Sequence, residues 1–542
     1  MHYPYENLKD LTLSSFIDRA VSLHSQNQLF AYVGEKPFNY LEFGNKVQNM
    51  VKLLQESGIK KDDKVMLLSE NMPHWAVAYF ATTYFGAVIV PVLTDFHKED
   101  IHRILEHSQA KAVFVSKKFE KTIKDSQINE LKIAINLDKL ILIDELSDKI
   151  YLSQEDKNYE QTKPKEDDLA TIIYTSGTTG NSKGVMLSHK NLITNTLSTF
   201  EKIDINQDDI FLSILPLAHT FECTTGMLLP ILNGASVHYI KKPPTPSILM
   251  KALSSVKPTV IISVPLIIEK IYKSKVLPTF TNSLIMRILY KIPFIRKRLN
   301  ILAGSKLLES FGGKLKIFGI GGAPLSPYVE KFLNEAKFPY MVGYGLTETA
   351  PLLTAGIFTE KQKIKSAGTS FYGVEIKIKN PNPKTGEGEI MARSPSVMMG
   401  YYKNEKQTAE VMEDDWFLTG DLGYLDKDGY LFISGRSKNV ILGSSGENIY
   451  PEQIESLINK DEDILDSLMM MSDSKLIARI HLDYERFADD ITQEEIEDIL
   501  EKKRVKINSQ LSSFSKMNKF IEQKEEFIKT PTKKIKRYLY AN

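Results

Sequence analysis

A loop rich in glycine and hydroxyl residues gives the strongest chemical signal in the chain. It follows the apolar run 169–174 and precedes a predicted helix that starts near Ser188. Glycines let backbone amides approach a polyphosphate closely, and hydroxyl and lysine side chains add donors and positive charge. No Gly-Lys-Ser/Thr sequence occurs in the chain, so this is not a Walker A loop. The predicted phosphate ligands are Thr175, Ser176, Gly177, Thr178, Thr179, Gly180 and Lys183.

Five further motifs follow this loop in order along the chain. The first two directly follow the apolar runs 316–320 and 340–342, and the ends of parallel strands are where such ligands usually bind. The motifs are Gly321-Gly-Ala-Pro-Leu, Gly343-Tyr-Gly-Leu-Thr-Glu-Thr, Trp416-Phe-Leu-Thr-Gly-Asp, Gly435-Arg-Ser-Lys-Asn-Val-Ile and Pro531-Thr-Lys-Lys-Ile-Lys-Arg.

With these motifs in this order, the chain resembles the adenylate-forming superfamily over nearly its whole length. That superfamily comprises acyl-CoA synthetases, luciferases and the adenylation domains of peptide synthetases. The segment Leu215-Pro-Leu-Ala-His-Thr-Phe-Glu is similar to the branch of long-chain fatty acid–CoA ligases. The resemblance implies ATP-dependent activation of a medium- to long-chain fatty acid to acyl-AMP, with release of pyrophosphate. Transfer to coenzyme A would follow, so ATP, Mg²⁺ and coenzyme A are the expected cofactors and co-substrates.

The resemblance also assigns roles to single residues of the nucleotide site. Tyr344 would stack on the adenine, while Asp421 would accept hydrogen bonds from the ribose hydroxyls and Arg436 would donate to the ribose or phosphate. Glu348 would hold Mg²⁺, a cation that prefers oxygen ligands, with help from the hydroxyl of Thr175. The remaining expected nucleotide ligands are Gly322, Ala323, Pro324, Gly345 and Thr347; Thr347 and Glu348 are also expected to take part in catalysis.

The family's catalytic lysine lies in a Thr-Gly-Lys pattern near the C-terminus. Here the pattern is Thr532-Lys533-Lys534, and the spacing to Ile535 and Arg537 assigns the role to Lys534. On composition alone, this segment is typical of a solvated basic tail. The resemblance further implies a mobile C-terminal domain with its hinge at Lys438. The path of the thiol would then be lined by Gly443, Ser444, Ser445 and Gly446.

Two regions bear on the acyl substrate. His219, Gly319 and Gly321 are expected near the acyl chain, the glycines because small residues leave room for it. Residues 272–299 alternate basic and apolar side chains without an acidic residue. That pattern fits either an amphipathic surface that lies on a membrane or a solvated helical excursion.

Three alternatives to the acyl-CoA reaction stay open at this stage. An acyl-carrier protein could replace coenzyme A as the acceptor without a change in the first step. A non-catalytic homologue could retain only the nucleotide and acyl pockets, although the intact motifs argue against it. A luciferase-like oxidation would need a special substrate, and no residue here argues for it.

The elements around these motifs predict an α/β fold. Apolar runs at 64–69, 88–92 and 112–115 alternate with helical patterns at 73–84 and 98–109, which is typical of a doubly wound parallel sheet. After Ser366, short strands and turns indicate antiparallel structure. The predicted architecture is two doubly wound α/β subdomains plus a small β subdomain in residues 1–434, then a small mobile α+β domain in 435–542.

Composition excludes several classes of protein. The 542 residues carry a formal charge of +1, which argues against a nucleic-acid partner. The single cysteine, Cys223, can form neither an internal disulfide nor a Cys-rich zinc site. Neither a secretory signal nor an apolar run long enough to span a bilayer is evident. We therefore expect a cytoplasmic enzyme, either free or peripheral at the inner face of a membrane; the sequence leaves the oligomeric state open.

Overall fold

The computed structural model divides into two compact units. The first contains Met1–Thr175, Ser182–Ile376 and Ala392–Phe417, and the second contains Lys377–Met391 and Leu418–Asn542. The sequence assigned residues 418–434 to the N-terminal domain, and the functional boundary near Gly435 stays a prediction. The structure describes residues 5, 8–126, 131–143, 163–175, 182–242, 245–356, 363–442, 448–472, 475–488, 490–530 and 534–540.

The first sheet of unit one has eight strands, and its five central strands are parallel. Val88–Val92 is buried at every position, which explains why this strand is a continuous apolar run. In order across the sheet, the strands are Gly400–Tyr401, Lys183–Ser188, Leu169–Thr175, Val88–Val92, Lys64–Leu68, Ala110–Val115, Ile133–Asn136 and Ile141–Leu142.

The second sheet of unit one has nine strands, six of which form a continuous parallel set. The strand Tyr340–Gly345 closes this set, and an antiparallel strand pairs with it on the other side. In order, the strands are Thr369–Ser370, Leu352–Gly356, Tyr340–Gly345, Ile317–Ile320, Val260–Ser263, Ile210–Ser213, Ser236–Tyr239, Gln28–Tyr32 and Phe38–Asn39.

The remaining sheets are smaller. A mainly antiparallel sheet contains Glu375–Lys379, Gly388–Arg393, Met412–Glu413, Trp416–Leu425 and Leu431–Arg436. Unit two also holds a three-stranded sheet and a two-stranded ribbon. Their strands are Ile464–Ser472, Lys475–Leu482 and Lys519–Glu522 in the sheet, and Ile441–Leu442 and Asn448–Ile449 in the ribbon.

The helices connect and cover these strands. Pro73–Tyr84 is apolar around its whole circumference because ten of its residues are buried, among them Trp75. Two short segments are π-helical instead of α-helical, at Cys223–Leu228 and Tyr272–Val276. The α-helices are Leu13–His24, Tyr40–Glu56, Pro73–Tyr84, Lys98–Ser108, Glu120–Lys124, His189–Leu197, Thr220–Glu222, Leu229–Asn233, Pro246–Val256, Pro265–Ile271, Leu277–Thr281, Leu284–Lys291, Pro293–Ser310, Pro327–Glu335, Glu405–Glu410, Pro451–Ile458 and Gln493–Asn508.

The predicted α/β architecture is confirmed, with one element that the sequence pattern did not indicate. The helix expected near Ser188 is His189–Leu197, capped by the Ser188 side chain. Between it and the phosphate loop lies the strand Lys183–Ser188, which runs antiparallel to Leu169–Thr175. The loop therefore connects two paired strands, rather than leading from a strand into a helix.

Candidate active site

Buried polar side chains hold the turn that carries Glu348. The strand Tyr340–Gly345 ends, and Thr347–Thr349 forms a single turn of 3-10 helix. The side-chain amide of Asn195 donates to the carbonyls of Thr349 (3.1 Å) and Leu352 (2.9 Å). The Thr224 hydroxyl donates to the next carbonyl along the turn, at 2.9 Å. Because these partners are buried, the turn is fixed before any ligand arrives.

A close backbone approach explains the glycine at position 345. A Cβ atom placed there would lie 1.7 Å from the carbonyl oxygen of Pro351, which no side chain tolerates. Glycine is therefore required for the turn to fold back on itself. The nucleotide contact assigned to Gly345 stays a prediction.

Tyr401 links Glu348 to the strand that follows the phosphate loop. Its hydroxyl donates to the Glu348 carboxylate at 2.9 Å, and the Lys183 ammonium lies 4.8 Å from the centre of its ring. The strand Gly400–Tyr401 pairs with Lys183–Ser188, so that Tyr401 lies opposite Val185. Two predicted site residues, Lys183 and Glu348, therefore meet at one tyrosine that the motifs did not single out.

The base of the phosphate loop has a defined register. Thr175 and Lys183 lie opposite each other on the two paired strands, and both are half-buried. The predicted loop ligands between them, Ser176, Gly177, Thr178, Thr179 and Gly180, lie outside the described residues.

Glu348 fits the magnesium role assigned to it. Its carboxylate is half-exposed, and the described part of the chain contains no group of three acidic, histidine or cysteine side chains that could hold a metal alone. Mg²⁺ is usually held by one or two carboxylates together with phosphate oxygens of the substrate. A single carboxylate beside a phosphate loop meets that requirement.

The adenine ligands expected in unit one differ in exposure. Gly322, Ala323 and Pro324 are exposed directly after the buried Gly321, so their backbone is accessible to a ligand. Tyr344 is half-buried and faces Thr354 in the neighbouring strand. The structure leaves the stacking role of Tyr344 as a prediction.

An apolar cavity borders the second sheet of unit one. The helix Thr220–Glu222 and the π-helical turn after it contribute to one side, and residues of four strands contribute to the other. Its lining includes Phe221, Thr225, Ile262, Gly319, Met341 and Gly343. An apolar lining of this kind suits hydrocarbon, and the space that it encloses, about 30 Å³, holds only a small part of a long acyl chain.

The two predicted acyl-site glycines lie at or beside this cavity. Gly319 lines it, and a Cβ at that position would come within 2.9 Å of Ile262. A Cβ at Gly321 would come equally close to the ring of Phe221. His219 instead caps the helix Thr220–Glu222, where its Nδ1 accepts a hydrogen bond from the Phe221 amide at 3.2 Å. Its contact with substrate stays a prediction.

The residues after Phe221 are buried and neutral. Burial raises the pKa of Glu222 to about 8, although the Ser213 hydroxyl donates to its carboxylate at 2.6 Å and opposes the shift. Burial also raises the pKa of Cys223 to about 12. At neutral pH the Cys223 thiol is therefore protonated, as expected of a packing residue rather than a nucleophile.

In unit two, the residues predicted to bind ribose lie next to each other. Asp421 and Arg436 are paired across antiparallel strands, and the Arg436 Nε lies 2.8 Å from the Asp421 carboxylate. The Asp421 side chain is only 6% exposed, whereas that of Arg436 is 44% exposed. The Arg436 guanidinium is the charged partner of this buried carboxylate.

Lys534 lies at the tip of a short hairpin in unit two. Lys529 and Ile535 form an antiparallel bridge, and the Thr530 amide donates to the Lys534 carbonyl at 2.7 Å. The Lys534 amide in turn donates to the Thr530 hydroxyl at 3.1 Å. The Lys534 side chain is exposed at this tip, while residues 531–533 lie outside the described residues.

Two ion pairs fasten the stem of this hairpin to the strand Ile464–Ser472 and the helix beside it. Lys529 pairs with Asp466 at 2.6 Å. Arg537 pairs with Glu455 and also donates to the Met469 carbonyl at 3.2 Å. Burial raises the pKa of Glu455 to about 6, and the Arg537 guanidinium opposes that shift. The basic segment near the C-terminus, which composition alone predicts to be a solvated tail, is therefore held to unit two by these ion pairs.

The roles assigned to the hinge and to the thiol path stay predictions. Lys438 is exposed in the 3-10 turn Ser437–Asn439. The thiol-path residues Gly443, Ser444, Ser445 and Gly446 lie outside the described residues.

A family model of AMP-binding enzymes matches residues 18–402, well over half of the chain. The chain belongs to the AMP-binding enzyme family. The resemblance to adenylate-forming enzymes that the motifs indicated is thereby confirmed.

Curated relatives within this family include acyl-CoA synthetases. Fatty acyl-CoA synthetase B of Dictyostelium discoideum is 30% identical over 472 residues, which is 79% of this chain and 69% of that protein. The peroxisomal long chain acyl-CoA synthetase 6 of Arabidopsis thaliana is 29% identical over 445 residues, 75% of this chain and 62% of that protein. The chain therefore spans about two thirds of the length of these relatives.

Solved structures of AMP-binding enzymes share the fold. The o-succinylbenzoate CoA synthetase of Bacillus subtilis, in complex with its acyl-adenylate intermediate, matches with a TM-score of 0.76. That match covers 97% of this chain and 98% of the other at 22% identity, a level at which it supports the fold alone.

Within the described residues, no helix of this AMP-binding enzyme is both long enough and apolar enough to cross a bilayer.

Removing the hydroxyl that holds Glu348 should weaken the magnesium site. We expect Tyr401→Phe to lower the rate roughly tenfold and to raise the Mg²⁺ concentration needed for half-maximal rate, because a hydrogen bond to a charged group contributes about 1.5–3 kcal/mol. Initial rates across a Mg²⁺ titration measure both effects. Tyr402→Phe is the matched control, since that ring contacts His107 and Lys403 instead. An unchanged Mg²⁺ dependence in Tyr401→Phe would contradict the assignment.

Proposed function

We propose that this enzyme activates a medium- to long-chain fatty acid to its acyl-AMP and then transfers the acyl group to coenzyme A. The observation that supports this proposal is an apolar cavity on the strand that leads into the Glu348 turn. Gly343 lines the cavity, and Glu348 follows five positions later, after the same strand has ended. We propose that the hydrocarbon tail of the acid lies at this cavity and that its carboxylate lies toward the turn.

In the first step, a carboxylate oxygen of the fatty acid attacks the α-phosphorus of ATP in line. The bond from that phosphorus to the bridging oxygen breaks, and pyrophosphate leaves with the electron pair. Catalysis of such a step is mainly positioning and electrostatic stabilisation. Thr347 donates to the α-phosphate, and Lys534 neutralises the negative charge that builds on its oxygens. Mg²⁺, held by Glu348 with the Thr175 hydroxyl, supplies further positive charge when bound.

The other nucleotide ligands position ATP for this attack. The loop from Thr175 to Lys183 holds the β- and γ-phosphates through amides, hydroxyls and the Lys183 ammonium. Tyr344 stacks on the adenine, whose edge meets the exposed backbone of Gly322, Ala323 and Pro324. Asp421 accepts hydrogen bonds from the ribose hydroxyls, and Arg436, which pairs with this carboxylate, donates to the ribose or phosphate.

In the second step, the sulfur of coenzyme A attacks the acyl carbonyl carbon. The bond between that carbon and the AMP oxygen breaks, AMP leaves, and the thiol proton passes to solvent. We propose that residues 435–542 form the mobile part that serves the two steps in turn, with Lys438 at the hinge. The loop 443–446 then lines the path of the thiol.

The apolar lining of the cavity favours a hydrocarbon tail over a polar group. Burial of a hydrocarbon chain contributes roughly 0.8 kcal/mol per CH₂, so each added carbon that fits should strengthen binding. Gly319 keeps one wall of the cavity free of a side chain. We propose that His219, at the N-terminus of the covering helix, lies near the acyl chain as it enters.

The experiment that tests this function is ATP–pyrophosphate exchange with acids from acetate to oleate, followed by a panel of acceptors. We expect exchange to rise with chain length through the medium- and long-chain acids, and AMP to appear with acyl-CoA when coenzyme A is added. If pyrophosphate exchange occurs but only an acyl-carrier protein accepts the acyl group, the acceptor in the second step is that carrier protein instead of coenzyme A. Failure to exchange with any acid would leave a non-catalytic nucleotide-binding homologue instead.

A further inference from the structure

Two consecutive helices of unit one leave large apolar side chains in solvent. On Leu284–Lys291 and Pro293–Ser310 these side chains reach 72% exposure at Leu284, 69% at Ile285 and 63% at Phe294. Isolated exposed apolar residues are ordinary, but a contiguous group marks an interaction surface. The apolar members of this surface, which we term the outer helical face, are Leu284, Ile285, Ile288, Ile292, Phe294, Ile301 and Leu302.

The outer helical face is fixed in orientation by contacts on the opposite side of the same helices. The Tyr290 ring stacks on Phe280 with centroids 4.5 Å apart, and the Tyr290 hydroxyl donates to the Asn300 side chain at 2.8 Å. Arg296 forms a forked ion pair with Glu335, with its Nη2 at 2.8 Å. Because these contacts hold one side of the helices against unit one, the apolar side chains on the other side point into solvent.

The exposed charged residues from Leu284 to Lys306 are all basic. No acidic residue occurs between Glu269 and Glu309. The guanidinium of Arg298 lies 4.3 Å from the centre of the Phe294 ring, so a cation borders the apolar surface directly. The exposed basic members of the outer helical face are Arg287, Lys291, Lys297, Arg298 and Lys306.

We propose that the outer helical face docks the enzyme on a lipid bilayer that contains anionic lipids. Apolar side chains bordered by Lys and Arg match the boundary between acyl chains and anionic headgroups, where each basic residue adds electrostatic attraction to the surface. The helix Leu284–Lys291 is far too short to span a bilayer, so contact is confined to the interface. A second copy of the same face is disfavoured, because it would oppose two clusters of positive charge.

The structure shows which part of residues 272–299 is available for contact with a membrane. Residues 272–299 contained the basic and apolar alternation, but Tyr272, Val276 and Phe280 are buried in the core of unit one. The first third of that segment is therefore anchored in the protein. The contact surface begins at Leu284 and extends beyond residue 299, to Leu302 and Lys306.

This inference goes beyond the proposed function, since lipid binding is measured without catalysis. The test is co-sedimentation of the full chain with vesicles of phosphatidylcholine alone and of phosphatidylcholine with 30% phosphatidylglycerol, a mixture chosen to give about the surface charge of an anionic leaflet. We expect binding to the anionic vesicles at least tenfold tighter than to the neutral ones. Added salt should weaken it, because the charge contribution is screened.

Two variants separate the apolar and basic contributions. A triple variant, Leu284→Ser with Ile285→Ser and Phe294→Ser, should lower vesicle binding at least tenfold at any salt concentration. Arg287→Gln with Lys291→Gln should lower it only at low salt. The matched control is Leu23→Ser with Leu41→Ser, which changes exposed leucines outside the outer helical face.

Three results would contradict membrane docking by the outer helical face. Equal binding of the triple variant and the parent protein to vesicles would overturn the proposal, as would equal binding to neutral and anionic vesicles. A concentration-dependent dimer without lipid that the triple variant abolishes would assign the face to a second copy of the chain. Unchanged thermal unfolding and unchanged hexanoate-dependent pyrophosphate exchange in the triple variant establish that the fold and the active site are intact.

Discussion

Replacing Lys534 with alanine should slow acyl-adenylate formation about a thousandfold, while transfer from preformed acyl-AMP to coenzyme A continues at nearly the parental rate. The loss follows because the ammonium group stabilises charge that develops only in the first transition state, and one such interaction is typically worth 10²–10³ in rate. That range corresponds to about 3–4 kcal/mol of activation free energy. Because the Lys534 side chain is exposed, its removal should leave the fold intact.

The two half-reactions must be measured separately. Pyrophosphate exchange reports the first, and release of AMP from added acyl-AMP and coenzyme A reports the second. Lys533→Ala is the matched control, since it changes the neighbouring lysine that stands in place of the family's glycine. Equal loss of both half-reactions in Lys534→Ala would refute the assigned role. A larger loss in Lys533→Ala than in Lys534→Ala would transfer the role to Lys533.

Glu348→Gln should lower the rate of adenylate formation by about 10²–10³, because it removes the single carboxylate assigned to Mg²⁺. The substitution preserves size, and the amide oxygen still accepts the hydrogen bond from Tyr401. The turn should therefore keep its conformation, with its anchors to Asn195 and Thr224 unchanged. What is lost is the negative charge, which the cation requires of its protein ligand.

Initial rates across a Mg²⁺ titration distinguish this loss from a general defect. We expect the residual activity of Glu348→Gln to need more Mg²⁺ for saturation, and Glu410→Gln, at an exposed position, to behave as the parent. A Glu348→Gln enzyme that saturates at the parental Mg²⁺ concentration would rule out the metal role. Tyr401→Phe should lie between the two, because it keeps the charge and removes only one hydrogen bond.

Much of the fold could be predicted because local pattern and burial agree in the parallel sheets. Strands such as Val88–Val92 are continuous apolar runs, and glycines mark the turns after them. The motif residues Glu348, Asp421 and Lys183 could be assigned from type and order alone. The structure pairs Asp421 with Arg436 and places Gly319 at an apolar cavity, and the functional roles of these residues stay predictions.

The contacts that position these groups were not predictable from the sequence. Tyr401 reaches Glu348 across 53 positions of chain, and no spacing rule connects two residues joined only by strand pairing. The strand Lys183–Ser188 was missed because a short strand beside a loop carries little periodicity. The charge pattern of residues 272–299 indicates an amphipathic surface but not its limits. Which apolar residues are buried depends on the direction of each side chain in its helix.

The anchors below Lys534 make the proposed catalytic lysine depend on one enclosed charge. Arg537 is the cation that faces Glu455, a carboxylate that is almost wholly enclosed. Replacing Arg537 with an uncharged side chain would leave that carboxylate enclosed without its cation, which typically costs about 3–5 kcal/mol. Damage to this anchor should therefore impair the first half-reaction before the second.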